Sequence, residues 1–467
     1  MTMSSASSPA SQPNQSARTG PYRTLAADKP LSGHVVIPGD KSISHRALML
    51  GSVAIGTTRI SGLLEGDDVL ATAAAMRAFG ATLDHIGKGE WEVTGLGIGN
   101  FSSPAGEVDF GNAGTGCRLT MGLATGSPVT ATFIGDASLS KRPMRRVLNP
   151  LIDMGLLVEP DQKETLPLTL RGPERPIPIS YRLPVASAQV KSAILLAGLT
   201  APGETHIIEP HPTRDHSEHM LELFGADIRS EQAEDGNHVW LRGEKQLSAC
   251  DITVPGDPSS AAFPLVAALL VDGSEVYLEN VMSNPHRDGL FHVLRQMGAE
   301  ITSTSERRSA GEDVFDLQVR GCHLQAVDVP ASIAPSMIDE YPILAIAAAY
   351  ADGESVFRGL GELRVKESDR LQAIADGLTA NGVQARIDGD DLYIQGVKPN
   401  ESGVRRVDGG GRVATHHDHR IAMSFLILGL LSEKAVEIDD ASMIQSSFPE
   451  FFDLMHRLGA NFESCDA

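Results

Sequence analysis

Apolar and polar positions follow one order along this chain, and that order recurs about every 70–85 residues. A short β-rich run comes first, then a polar or Gly-rich turn. A nearly continuous apolar run follows: "ALMLGSVAIG", "CRLTMGLATG", "KSAILLAGLTAPG", "AFPLVAALLVDG", "YPILAIAAAYADG" and "IAMSFLILGLLSE". These runs predict buried helices. A second strand comes next, such as "TTRISGLL" or "SEVYLENV". Another polar turn then opens an amphipathic helix that usually ends in Gly, from "VLATAAAMRAFGATL" to "FFDLMHRLGANFE". Gly at that place fits a left-handed helix C-cap. The first five units close with a further strand, and the sixth runs into the C-terminus. Each unit therefore reads β-α-β-α-β-β. One unit cannot bury its own apolar helix, so neighbours must pack together. Six units make one large assembly or two groups of three, and 467 residues favour two groups.

Two segments share a finer frame. "VVIPGDKSISHR" begins at Val35 and "ITVPGDPSSAAF" at Ile252, and only the first carries Lys41, His45 and Arg46 after PGD. The second is expected to start a helix that only has to pack.

Net charge is -21, which disfavours nucleic acid or anionic lipid as a partner. No apolar run approaches the roughly 20 residues that span a bilayer. Residues 1–20 are rich in Ser, Pro, Gln and Ala, which predicts a disordered tail without a secretory signal. The four cysteines, Cys117, Cys250, Cys322 and Cys465, fit no metal spacing and suit a reducing cytosol.

The polar turns stand at helix starts, where free N–H groups and a partial positive charge favour anions. The first turn of unit one holds Lys41, Ser42, Ser44, His45 and Arg46, which fits a phosphate or carboxylate site, or equally a capped helix with surface cations. Unit two offers Gly111, Gly114, Gly116, Thr115 and Arg118, then Lys141, Arg142, Arg145 and Arg146. Ser187 and Gln189 of unit three are neutral partners for oxygen, or Ser187 is an N-cap. Asp339 and Glu340 precede the apolar run of unit five, and either acid could cap it. Arg364, Lys366, Glu367, Asp369 and Arg370 crowd its second turn, with Lys366 and Arg370 at i,i+4 on one helical face. His416, His417, Asp418 and His419 are consecutive and lack the i,i+4 spacing of a helical metal pair. Arg420 fits an anion clamp better. "GLGIGN" at 95–100 opens no helix and is no dinucleotide fingerprint, and Cys117 reads as a small buried hydrophobe. Equivalent turns thus carry unlike, complementary groups. Together they imply a site for multiply anionic small molecules with carboxylates for proton transfer.

At these residues the chain resembles the 5-enolpyruvylshikimate-3-phosphate synthase family, in its class II bacterial form. The motifs are "PGDKSISHR", "GNAGTGCR", "KRPM", "ASAQVKSA", "PGDPSSAAF", "DEYP", "RVKESDR" and "DHRIAMSF", in order from Leu31 to the end. The resemblance implies an α/β fold of two domains, each of three β-α-β-α-β-β units with pseudo-three-fold symmetry. It places residues 21–40 with 257–467 in one domain and 41–256 in the other, with the crossings near Asp40 and Asp257. It implies transfer of the enolpyruvyl group of phosphoenolpyruvate to the 5-hydroxyl of 3-phosphoshikimate, with no cofactor and no metal, in a cytoplasmic monomer. Carried over by motif, Lys41 lies between both substrates. Ser42 and Arg46 hold the shikimate carboxylate, and Ser187, the Ala188 backbone, Lys366 and Thr213 its phosphate. The Gly114 N–H, Arg142 and Gln189 hold the phosphate of phosphoenolpyruvate, with Gln189 also touching 3-phosphoshikimate. Arg370 and Arg420 clamp the donor's carboxylate. Asp339 takes the 5-hydroxyl proton, and Glu367, with Lys41, handles the proton at C3. The chain departs from some members in having Ser446 and Ser447, not Lys, before "FPE". It also has Gly114 where tolerant class II enzymes have Ala, so lower tolerance to glyphosate is expected. The related UDP-N-acetylglucosamine enolpyruvyl transferases instead rely on a loop Cys, and a non-catalytic anion binder would be weakened by Asp339 and Glu367.

Overall fold

The computed structural model describes residues 18–159, 163–400 and 403–465. The tail expected at 1–20 falls mostly outside them. Twelve α-helices occur among the described residues, two per unit. They are α1 Lys41–Val53, α2 Asp67–Ala78, α3 Gly114–Thr125, α4 Arg145–Asp153, α5 Ala188–Gly198 and α6 His216–Leu223. The second half supplies α7 Pro258–Leu270, α8 Gly289–Gln296, α9 Tyr341–Ala349, α10 Arg370–Ala380, α11 His419–Leu428 and α12 Phe451–Arg457. The odd-numbered helices are the apolar runs, and every residue of α7 and α9 is buried. The even-numbered helices end as the Gly pattern predicts: Gly80, Gly155, Gly225, Gly298, Gly382 and Gly459 all have positive φ.

Each of units two, three and five builds one sheet from its own strands. Its first strand runs parallel to the second, the apolar helix is the crossover, and an antiparallel hairpin completes it. Ser180–Arg182, Glu204–Glu209, Gly236–Arg242 and Asp227–Ala233 are neighbours in that order in unit three. A parallel pair needs such a crossover, and the buried helix provides it.

The sheets of units one and four differ from the order of strands in the repeat pattern. The strand before each PGD does not pair within the unit that follows it. Ser32–Val36 lies parallel to Glu275–Glu279 of unit four, and Ile252–Thr253 lies parallel to Ile60–Ser61 of unit one. The strands are exchanged across the two halves. Tyr22–Leu25 likewise enters the sheet of unit six, between Val436–Ile438 and Asn461–Ser464.

The buried hydrophobic residues form two cores. One runs from Ile43 to Val254 and includes Met282, and the other combines Leu31, Val35 and Ile37 with residues from Ala261 to Ala460. In the first, α3 packs on α1 and α5; in the second, α7, α9 and α11 pack on one another. No helix among the described residues is long and apolar enough to cross a membrane.

Candidate active site

The starts of α1, α3 and α5 face those of α9, α10 and α11, and the charged turns meet there. Asp40 caps α1 by accepting from the Ile43 amide at 2.7 Å, so Lys41 and Ser42 open the helix. The Lys41 ammonium pairs with Asp68 of α2. Arg46 is nearly buried; its Nε donates to Ser217 Oγ at 2.8 Å and its Nη2 to Ser192 Oγ at 2.9 Å. Burial lowers its pKa to about 10, with Glu218 and Asp40 opposing that shift.

Gly114 is the first residue of α3. A Cβ there would lie 3.1 Å from Arg142 Nη1 and 3.2 Å from Arg118 Nη1. Arg142 donates to Asn112 Oδ1 at 2.6 Å and stands 3.5 Å from Glu367 Oε1. Gln189 accepts from Arg118 at 3.0 Å and donates to Thr115 at 3.0 Å. Ser187 is the N-cap of α5 and accepts from the Val190 amide, with Ala188 as the first helical residue.

On the facing side neither Asp339 nor Glu340 caps α9 through its side chain. Asp339 instead gathers cations: Lys366 Nζ at 3.2 Å, Arg370 Nη1 at 3.1 Å and Arg214 Nη2 at 2.8 Å. Burial alone would raise its pKa, but Lys366, Arg420, Arg214 and Arg370 hold it well below the usual carboxylate range. Glu367 accepts from Arg370 Nη2 at 2.5 Å. Burial opposes its ionisation too, yet Arg370, Arg142 and His419 keep it well below its usual value. Arg370 is 1% exposed and also binds Asp418 at 2.7 Å. Arg420 donates to the Asp339 carbonyl at 3.2 Å and lies 3.7 Å from Glu340.

Several expectations need correction. Lys366 and Arg370 do not share a helical face. Asp369 caps α10 by accepting from the Gln372 amide at 3.0 Å, so the helix starts at Arg370 and Lys366 stays in the turn before it. They meet through Asp339 instead. The Thr213 hydroxyl donates to buried Glu209 at 2.6 Å, which in turn pairs with buried Lys191, so its proton is committed inside the first half. Ser259, after the second PGD, does more than pack: it bonds Glu340 and Arg287.

The four residues 416–419 diverge. His416 and His417 lie in positive-φ turns, Asp418 caps α11 and pairs with Arg370, and His419 is buried. A closer group is Asp215, His216 and Glu312, where His216 Nδ1 meets Glu312 at 2.8 Å and Asn284 bonds both carboxylates at 2.8 Å. Cys117 is buried, and burial pushes its thiol up to about 12, so it is no nucleophile. Ser446 and Ser447 are both buried and put no cation in the cleft.

Arg214 was missed by the sequence reading. "PTRDHSEH" looks like any helix start with an exposed cation, and only the meeting of the halves shows that it reaches Asp339. Four ion pairs between the halves put the cation on the first half and the carboxylate on the second, and Arg287–Asp40 runs the other way. Arg142–Glu367 and Arg214–Asp339 lie inside, and Arg146–Glu362 and Lys88–Glu450 at the rim.

A family model for EPSP synthase (3-phosphoshikimate 1-carboxyvinyltransferase) matches residues 25–455. The 3-phosphoshikimate 1-carboxyvinyltransferase of Methylorubrum extorquens is 57% identical over 444 residues, 94% of this chain and 97% of its own. That of a Chelativorans species is 58% identical over 438 residues, 93% and 96% of the two chains. The solved EPSP synthase of Acinetobacter baumannii superposes with a TM-score of 0.85 at 43% identity, covering 95% of this chain and 99% of that one. Its fold, two α/β domains of repeated units, is the one described above. The chain belongs to the EPSP synthase family.

Proposed function

We propose that the protein transfers the enolpyruvyl group of phosphoenolpyruvate to the 5-hydroxyl of 3-phosphoshikimate, releasing phosphate, in aromatic amino acid biosynthesis. The observation that carries this reading is the cluster of Asp339 and Glu367 among Arg142, Arg214, Lys366, Arg370 and Arg420 in a chain of this family. Two substrates with a phosphate and a carboxylate each bring four anionic groups, and the site meets them with cations from both halves. An acidic protein would otherwise repel them.

The reaction is an addition followed by an elimination. The 5-hydroxyl oxygen loses its proton and bonds C2 of the enol while C3 gains a proton. C3 then loses a proton and the C2–phosphate oxygen bond breaks. Asp339 takes the hydroxyl proton, and Glu367 with Lys41 serves C3. The present ion pairs make both carboxylates weak bases. Substrate anions that draw Arg214, Lys366, Arg142 and Arg420 toward themselves raise the basicity of Asp339 and Glu367, so proton transfer is coupled to loading of the site. Lys41, Ser42 and Arg46 hold the acceptor's carboxylate end, and Ser187, the Ala188 backbone and Lys366 its phosphate, with Gln189 also touching the acceptor. The Gly114 N–H at the start of α3, Arg142 and Gln189 hold the donor's phosphate, and Arg370 and Arg420 its carboxylate. Arg214 joins this set from its bond to Asp339.

We assign the chain to class II, where Ser446 and Ser447 replace the extra Lys. We divide it into 21–40 with 257–467 and 41–256, and read it as a cytoplasmic monomer. Purified protein given both substrates should release phosphate and form the enol ether. No release with both present would leave the anion-binding reading.

A further inference from the structure

The chain passes between the two cores at Gly39–Asp40 and Gly256–Asp257, and the passages lie side by side. The Asp40 amide donates to Pro255 O at 2.7 Å and the Asp257 amide to Pro38 O at 2.9 Å. A Cβ on Gly39 would strike the Gly62 carbonyl, and one on Gly256 the Asn280 carbonyl. Each aspartate caps a helix, Asp40 for α1 and Asp257 for α7.

Arg287 stands between the two carboxylates. It comes from the "NPHRD" turn after the strand Glu275–Ser283, and its side chain is 3% exposed. Nη1 donates to Asp40 Oδ2 at 3.2 Å. Nη2 donates to Asp257 Oδ1 at 3.2 Å and to Ser259 Oγ at 2.9 Å. Nη1 also lies 3.4 Å from His216 Nε2, at the start of α6. The Ser259 hydroxyl donates to Glu340, the N-cap of α9, and Glu340 faces Arg420 of α11 at 3.7 Å. One guanidinium therefore touches the starts of α1, α6 and α7, and reaches α9 and α11 through Ser259 and Glu340. The first two helices belong to one core and the last three to the other.

A buried cation among helix N-termini is doubly unfavourable unless it is paired. Asp40, Asp257 and Glu340 supply the pairing. Burial would raise the Asp40 carboxyl, but Arg287 and His216 hold it below its usual value, whereas burial and the Asp40 charge push Asp257 up. A crossover that only had to turn would need the glycines and the caps. A planar fork shared by both caps fixes their mutual orientation.

We infer that Arg287 is a positioning residue that locks the helix starts of the two halves together, so that groups on α1 and groups on α9 and α11 form one site. It touches no reacting atom. It acts through Asp40 on Lys41 and Ser42, the next residues in the chain, and through Ser259 and Glu340 on Arg420. The inference rests on the proposed function, because the shared substrates must touch groups from both half-sites at once.

Two variants test it. Arg287→Lys keeps the charge but loses the fork. Asp257→Asn keeps an amide oxygen to cap α7 and removes one shared anion, so it carries the test if Arg287→Lys does not fold. Thermal midpoints establish folding, calorimetry gives the Kd of 3-phosphoshikimate alone, and phosphate release gives kcat and KM for both substrates. Misplacing the half-sites should weaken 3-phosphoshikimate about tenfold or more and lower kcat/KM for phosphoenolpyruvate about 10²-fold. A merely structural role would lower the midpoint and leave Kd and kcat/KM of the folded protein near wild type. That result in a folded variant overturns the inference. Absence of turnover in the wild type would instead overturn the proposed function.

Discussion

Replacing Asp339 by Asn removes the charge at the centre of the site and keeps its shape. Three cations lose a partner: Arg214 at 2.8 Å, Arg370 at 3.1 Å and Lys366 at 3.2 Å. Breaking a fully buried pair costs about 3–5 kcal/mol. Here the cost is lower, because Arg214 and Lys366 are 20% and 28% exposed and Arg370 keeps Asp418 and Glu367. About 2 kcal/mol of stability is expected to be lost, which lowers Tm by about 4–8 °C in domains of this size. The sign with pH follows from the depressed pKa of Asp339. Its stabilisation is fully present above the unfolded value of about 4 and is lost as pH falls through the lower folded value. The difference in Tm between wild type and variant should therefore shrink in acid. Catalysis should suffer more. An absent general base costs about 10²–10⁴-fold in kcat, or ~3–5 kcal/mol of barrier. The assay is steady-state phosphate release at saturating concentrations of both substrates, beside calorimetric binding of 3-phosphoshikimate. A kcat within about threefold of wild type, with binding intact, would refute the role of Asp339 as base.

Three further outcomes are expected. Glu367→Gln should lower kcat by about 10²-fold or more, and in D2O it should slow deuterium entry at C3 of the enol in parallel; undiminished exchange would exclude it from that step. Gly114→Ala puts a methyl 3.1 Å from Arg142 Nη1, which must give by a few tenths of an ångström. KM for phosphoenolpyruvate should rise about five- to tenfold, with a larger rise in the inhibition constant of the longer glyphosate; equal inhibition constants would contradict the steric argument. His219 is raised to about 9, chiefly by its hydrogen bond to Glu312. That stabilisation is present below the unfolded pKa of about 6.5 and is lost as pH rises through about 9. Partial exposure limits it to about 1 kcal/mol, so the Tm gap between wild type and His219→Gln should close between pH 7 and 10.

The twelve helices and their glycine ends were legible because both rest on local periodicity and on backbone sterics. Partnership across the halves could not be read from local periodicity. The β-rich run before each PGD reads alike whichever sheet it joins, and the exchange of Ser32–Val36 with Ile252–Thr253 depends on which neighbour lies parallel to it. Cations were easy to find as residue types, yet their partners were hidden. Asp339 looked like a helix cap, Arg214 looked like a surface charge in a polar turn, and nothing in the sequence singled out Arg287. Each takes its meaning from a residue over one hundred positions away or from a different core. Lys366 and Arg370 were placed on one helix by spacing alone, and the Asp369 cap between them ended that reading.

A site assembled from both halves must lose affinity when either half is changed. Calorimetric titration of 3-phosphoshikimate into wild type, Arg46→Met from the first half and Lys366→Met from the second tests it most directly. Each variant is expected to weaken binding by about tenfold or more, as loss of a charge-assisted contact requires. Wild-type affinity in Lys366→Met would mean that the first half binds the ligand alone, and would contradict it.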